Sequence, residues 1–313
     1  MRVWIAAAIA SAASTAVANP TFNVPGDAVP DQTFYLANPG TVLNVNNGGV
    51  VGPFGDFNGN GSVDDTNFDL NTGIINVNNG GTLLGFPAEA LFERGTLNLA
   101  PGGSVGDFAR FFNSEINMAG GVVGPSLLAS LDTTANVSGG TIGSLTVVAD
   151  STLNMTGGTI GQLSLRDASA KISGGSLGQA PFGAPVFVGD FSNFFPPNTN
   201  TAATLEISGG TIFDRLFIGN DGTVNLIVTE ATLNGVPLDL ELDETRVITQ
   251  RQSSLLELVL ADGSPASLTL NNGGGTGSMF NSGSVLTVTR VIPSPAGALP
   301  LSLCMWLACA RRR

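Results

Sequence analysis

"STLNMTGGTIG" at residues 151–161 repeats "TTANVSGGTIG" at 133–143 almost residue for residue. Gly-Gly pairs begin at Gly48, Gly80, Gly102, Gly120, Gly139, Gly157, Gly174 and Gly209. The middle of the chain therefore carries a phrase of 17 to 19 residues, with a longer interval of 32 near its start and one of 35 near its end. Before each pair stands an apolar, polar, apolar triplet: LNV at 43, INV at 75, LNL at 97, INM at 116, ANV at 135, LNM at 153, AKI at 170 and LEI at 205. In an extended strand such alternation sends the outer two side chains to one face and the middle one to the other. One strand of this kind buries too little to stand alone, whereas copies laid on one another share a continuous core.

The phrase predicts an all-β chain folded as a parallel β-helix or solenoid with rungs of about 18 residues; either hand fits the spacing. The glycine pairs are expected at corners that need positive φ. The outward asparagines at 44, 76, 98, 117, 136 and 154 are expected to stack as a ladder, with Lys171 and Glu206 taking their place in later rungs. The solenoid is expected over 19–228, its long intervals read as excursions at 53–72 and 180–200 or as one degenerate rung each. From Thr229 the phrase stops. "VPLDLEL", "SLLELVL" and "ASLTL", with Asp262-Gly263 as a turn signal, predict a small antiparallel β cap over 229–290 that protects the open end of the stack.

Glycine supplies 42 of the 313 residues and charged residues only 12%, about half the usual share. Both ends look like processing signals. "MRVWIAAAIASAASTAVA" joins one arginine to an apolar run and the small residues Ala16 and Ala18, which predicts a signal peptide over 1–18 cut after Ala18 by signal peptidase. At the other end, 291–313, Pro293, Ser294 and Pro295 precede a mostly apolar stretch from Ala296 to Ala310 and then Arg311, Arg312 and Arg313. That arrangement predicts a hydrophobic C-terminal helix with its arginines held on the cytoplasmic side.

The tail resembles the PEP-CTERM sorting signal of bacterial secreted proteins, which joins a proline motif, one hydrophobic helix and a basic cluster. It departs at the core of the motif, where Pro293-Ser294-Pro295 stands for Pro-Glu-Pro. The resemblance implies handling by an exosortase-type sorting enzyme and delivery to the cell surface or extracellular matrix; an ordinary C-terminal membrane anchor is the alternative. The formal net charge is −12. Without the two terminal segments four basic residues and no acidic ones are lost, leaving about 16 net negative charges, a poor match for nucleic acid or an anionic membrane. Cys304 and Cys309 and both tryptophans, Trp4 and Trp306, lie in those segments, and there is no histidine.

Asp56, Asn58, Asn60, Gly61, Ser62, Val63 and Asp64 place oxygen-bearing side chains at alternating positions around a turn glycine, with Ser62 offering its carbonyl. This is the spacing of a calcium loop, and it resembles one EF-hand or type I dockerin repeat. The resemblance implies a calcium ion on Asp56, Asn58, Asn60, Ser62 and Asp64; Asn67 stands where a carboxylate is expected, and no duplicate loop follows, so a cohesin partner is not carried over. Asn113, Asp132, Asp150 and Asp167 recur seven residues before successive glycine pairs, either as a cation ladder or as ordinary corner residues.

With no histidine, a lone Tyr35 and no tryptophan outside the terminal segments, the chain lacks the usual base and sugar-stacking groups of a polysaccharide lyase. Phenylalanines at 184, 187, 191, 194 and 195 form either a lid on the core or an adhesive patch, and single threonines at 82, 141, 159 and 211 follow glycine pairs. The expectation is a non-catalytic, exported structural or adhesive β-solenoid with calcium as a stabiliser and extracellular polysaccharide or surface proteins as partners. The alternative is a polysaccharide-binding or polysaccharide-lyase-like β-helix.

Overall fold

The computed structural model describes residues 21–24, 41–51, 67–68, 73–83, 90–107, 109–178, 186–189, 202–212, 216–250, 252–271, 278–280 and 283–293. Among these residues there is no helix, and the strands join in one non-closed, mostly parallel sheet, as a β-solenoid requires.

Three columns of strands recur. The first runs through Thr21–Val24, Val42–Val45, Ile74–Val77, Thr96–Leu99, Glu115–Met118 and Thr134–Val137, and continues in the long strands Thr141–Met155, Thr159–Leu177, Ala203–Ile212 and Gly222–Leu233. Its register sets like on like: Asn44 lies opposite Asn76, Asn76 opposite Asn98, Asn98 opposite Asn117, Asn117 opposite Asn136, and Asn136 opposite Asn154. The second column begins just after each glycine pair, with Val50–Val51, Thr82–Leu83, Ser104–Val105 and Val122–Val123. The third takes Ala90–Glu93, Ala109–Phe112, Leu127–Ser130, Val186–Val188 and Leu216–Ile218. Every pass of the chain thus lays down three strands before stacking on the last.

The inward residues form the core. Val45, Val77, Leu99, Met118, Val137, Met155, Ile172, Ile207 and Leu226 stand in one row, none more than 3% exposed. Burial of each such side chain stabilises by about 1.5–3 kcal/mol. A slip of one residue would turn the whole row to solvent, so the alternation that predicts the strands also fixes their register.

Each Gly-Gly pair meets two separate demands. In Gly157-Gly158, Gly158 takes φ +81°, a left-handed conformation that L side chains disfavour. Gly157 has ordinary φ, but a Cβ there would lie 2.4 Å from the carbonyl oxygen of Ser138 on the rung below. One glycine turns the chain; the other lets stacked turns approach. The sequence reading supplied only the first reason.

The corner between the third and first columns is turned by Asn113, Asp132, Asp150, Asp167 and Asp221, all at φ between 47° and 61°. Asparagine and aspartate adopt this region at lower cost than other non-glycine residues. Ala149 and Asp150 share the corner in one rung, whereas Asp167 turns it alone in the next, and the register shifts there accordingly.

The long intervals remain single rungs. Asn67–Phe68 pairs with Leu91 and Phe92 in the third column, and Val186–Val188 lies between Leu163–Leu165 and Leu216–Ile218. The segment 180–200 is therefore not a continuous excursion: a regular strand crosses it, because Val186 and Val188 fill two fully buried core positions.

Beyond Thr229 the pairing changes sense. Ser254–Leu260 pairs antiparallel with Pro265–Asn271 and with the end of Gly222–Leu233, and Thr245–Val247 pairs antiparallel with Val285–Arg290. Within 229–290 the sheet is mixed rather than antiparallel throughout. Ser278–Phe280 returns to the third column beside Leu216–Ile218, and Val285–Arg290 to the first beside Thr223–Val228. The Asp262-Gly263 turn lies against the last Gly-Gly corner. Its carboxylate accepts hydrogen bonds from the Gly210 amide, the Ser264 amide and the Ser264 hydroxyl, each at 2.8 Å, while the Asp262 amide donates to the Ser208 carbonyl at 3.1 Å. Partial burial disfavours the charged form of Asp262, but these donors outweigh it and hold the carboxyl below its usual range.

Candidate functional site

The outward asparagines of the first column form a chain of side-chain amides. Asn44 donates to Asn23, Asn76 to Asn44, Asn98 to Asn76, Asn117 to Asn98, Asn136 to Asn117 and Asn154 to Asn136, all at 2.8–3.1 Å. The ladder expected for residues 44 to 154 is present, and it begins one rung earlier, at Asn23. A primary amide has two N–H donors and an oxygen with two lone pairs. Asn76, Asn98, Asn117 and Asn136 each use one N–H and one lone pair along the ladder, and among the described residues they have no other partner.

Two residues further along each strand, on the same outward face, stand Asn46, Asn78, Ala100, Ala119, Ser138 and Thr156. Asn78 donates to Asn46 at 2.9 Å, making a short second ladder. At Ala100 and Ala119 the side chain shrinks to a methyl group. The result is an open groove of about 390 Å³ along the stack, walled by Asn76, Asn98, Asn117, Asn136 and Asn154 and floored in part by Ala100 and Ala119. No charged residue is among the described residues that line it.

The ladder changes character at Lys171 and Glu206, which face each other in register on neighbouring rungs. It resumes in altered form at Asn225, whose side-chain oxygen accepts from the hydroxyls of Thr287 and Thr289, both at 3.0 Å. Sequence reading missed Asn23 and Asn225 because neither is followed by a Gly-Gly pair. It also missed an internal hydroxyl ladder at the corner. There the Gly95 amide donates to Ser114, the Ser114 amide to Thr133 and the Thr133 amide to Ser151, at 3.1–3.3 Å. The signal for it was a serine or threonine just before the strand in three successive repeats.

The calcium-loop residues Asp56, Asn58, Asn60, Ser62 and Asp64 lie outside the described residues, as do Ala16, Ala18, Ser294, Pro295, Arg311, Arg312 and Arg313. Pro293 is described and exposed; it follows the last backbone hydrogen bond of the body, from the Val291 amide to the Val228 carbonyl at 2.8 Å. Asn113, Asp132, Asp150 and Asp167 do stack in successive rungs, and their left-handed φ accounts for the recurrence. Among the described residues no group of three or more metal-ligating side chains is placed to hold an ion. Of the five clustered phenylalanines only Phe187 is described; it stacks on Phe217 in the third column, ring centroids 5.2 Å apart and planes 16° from parallel. Thr141 and Thr159 face each other in the second column, one threonine per rung.

Fold and groove together define a repetitive, mostly parallel all-β protein with a neutral amide face. Comparison with protein-family models, with curated proteins and with solved structures found no match.

Proposed function

We propose that the chain is an exported, non-catalytic β-solenoid that serves as a structural or adhesive element at the cell surface or in the extracellular matrix. The observation that supports this most directly is the unbroken like-on-like register from Asn23 to Asn154, with the last Gly-Gly corner met by the Asp262 turn. A repeated rung of this kind supplies rigidity and many equivalent surface contacts. On this reading residues 1–18 are a signal peptide removed by signal peptidase, and 291–313 form a hydrophobic sorting helix handled by an exosortase-type enzyme. Calcium on Asp56, Asn58, Asn60, Ser62 and Asp64 would stabilise the first long interval.

The proposal is tested by intact mass spectrometry of the protein from its native host, comparing membrane and extracellular fractions. A species running from Asn19 to about Pro293 outside the cell is expected. A species that keeps Arg311 to Arg313 in the membrane would replace sorting by simple anchorage, and a protein confined to the cytoplasm would overturn export. The alternative of polysaccharide binding is favoured by one specific feature, the neutral amide groove.

A further inference from the structure

The groove beside the asparagine ladder can be matched to a ligand by the chemistry of its free groups. At Asn76, Asn98, Asn117 and Asn136 the ladder leaves one N–H and one lone pair uncommitted on each amide, repeated at the inter-strand distance of about 4.8 Å. A matching ligand must therefore donate and accept at every step. Carboxylates and phosphates only accept, and the net charge of −12 repels them. Ammonium groups only donate, and the described lining offers no carboxylate to hold one. An extended peptide both donates and accepts, but it advances about 3.3–3.4 Å per residue and falls out of step with the rungs. A hydroxyl donates and accepts, and a sugar ring in an extended chain spans close to one rung.

From this chemistry we infer that the groove lined by Asn76, Asn98, Asn117, Asn136, Ala100 and Ala119 binds a neutral polysaccharide running along the stack. At one sugar per rung the asparagines from Asn76 to Asn154 set a footprint of about five units. Ala100 and Ala119, with Leu99 and Met118 beneath, give the apolar patch on which ring C–H faces rest. This deepens the structural reading above and rests on it for the setting in which the glycan is met.

The test is native affinity electrophoresis of the full-length protein through gels containing laminarin, hydroxyethylcellulose or galactomannan, with alginate as the anionic control. Retardation by at least one neutral polymer and none by alginate is expected. Ala119→Phe fills the groove from an exposed position and should weaken retardation at least tenfold with an unchanged melting midpoint. Should that variant melt early, Ser138→Phe, also exposed and also lining the groove, serves the same purpose. Migration unaffected by all three neutral polymers, retardation by alginate, or retardation that survives groove filling would each overturn the inference. Failure here leaves export untouched, since the mass and location of the native species are read separately; a cytoplasmic protein that still binds laminarin would overturn the setting and keep the groove.

Discussion

The middle of the stack, residues 133–172, and the cap, residues 229–271, are built from the same kind of strand but held in different ways. In the stack most residues lie on like residues, Val148 on Arg166 and Asn154 on Lys171 being exceptions, and neutral amides, hydroxyls and backbone tie the rungs together. In the cap most partners are unlike, and several ties are charged. The Asp262 carboxylate binds the Gly210 amide, and Arg246 meets Glu244 at 2.8 Å while also donating to the Leu238 carbonyl. Repetition lets one solution serve every rung, so a fault recurs in its effect on both neighbours; the cap solves each contact once.

The glycines give the sharpest way to break that contrast. Gly157→Val would drive a side chain into the Ser138 carbonyl 2.4 Å away, and an expected loss of about 3 kcal/mol or more should appear in the urea midpoint. Gly263→Ala in the cap turn meets nothing within 4 Å and carries only the strain of φ +89°, about 1–2 kcal/mol. Equal losses would mean that stacking does not set the demand for glycine.

Asp262→Asn removes the charge that ties the cap to the last corner, with an expected cost of about 1 kcal/mol after allowance for its exposure. The folded pKa of Asp262 lies below its ordinary value of 3.8, so its contribution is complete above that pH and is lost as pH falls through the lower folded value. Melting midpoints of the wild type and Asp262→Asn should therefore differ at pH 6 and converge under strong acid. Asn136→Ala removes two ladder bonds, one to Asn117 and one from Asn154, for about 1 kcal/mol that is independent of pH. The smallest effect is expected from Glu244→Gln: its pair with Arg246 lies at the surface, and no measurable change in the melting midpoint should follow.

How far the sequence disclosed this structure follows from where its periodicity lies. The first column was legible because its outward position is asparagine in rung after rung, and the glycine pairs marked the turn into the second. The third column was not, since its outward residues in consecutive rungs are Arg110, Leu128, Thr146, Ser164, Phe187 and Phe217, with nothing in common for the eye to align. Val186–Val188 was absorbed into a supposed excursion for that reason. The second demand on the glycine pairs, and the groove itself, depend on what the rung below supplies; Ala100 and Ala119 are unremarkable in a linear reading and become a floor only when stacked beside a ladder. The return of Ser278–Phe280 and Val285–Arg290 to the parallel columns depends on contacts some sixty residues apart, such as Thr287 with Asn225, which no local pattern announces.

The backbone hydrogen bonds that join the rungs run along the stack, and this gives the body a direction in which it yields. Under tension applied end to end those bonds are loaded one rung at a time, as in a zipper, instead of being shared by a whole sheet in shear. Where the ladder partners are 18 or 19 residues apart, each opened rung would release about 60 Å of chain. A force-extension trace should then show a train of small, evenly spaced steps, so that a rod stiff against bending gives ground gradually when pulled.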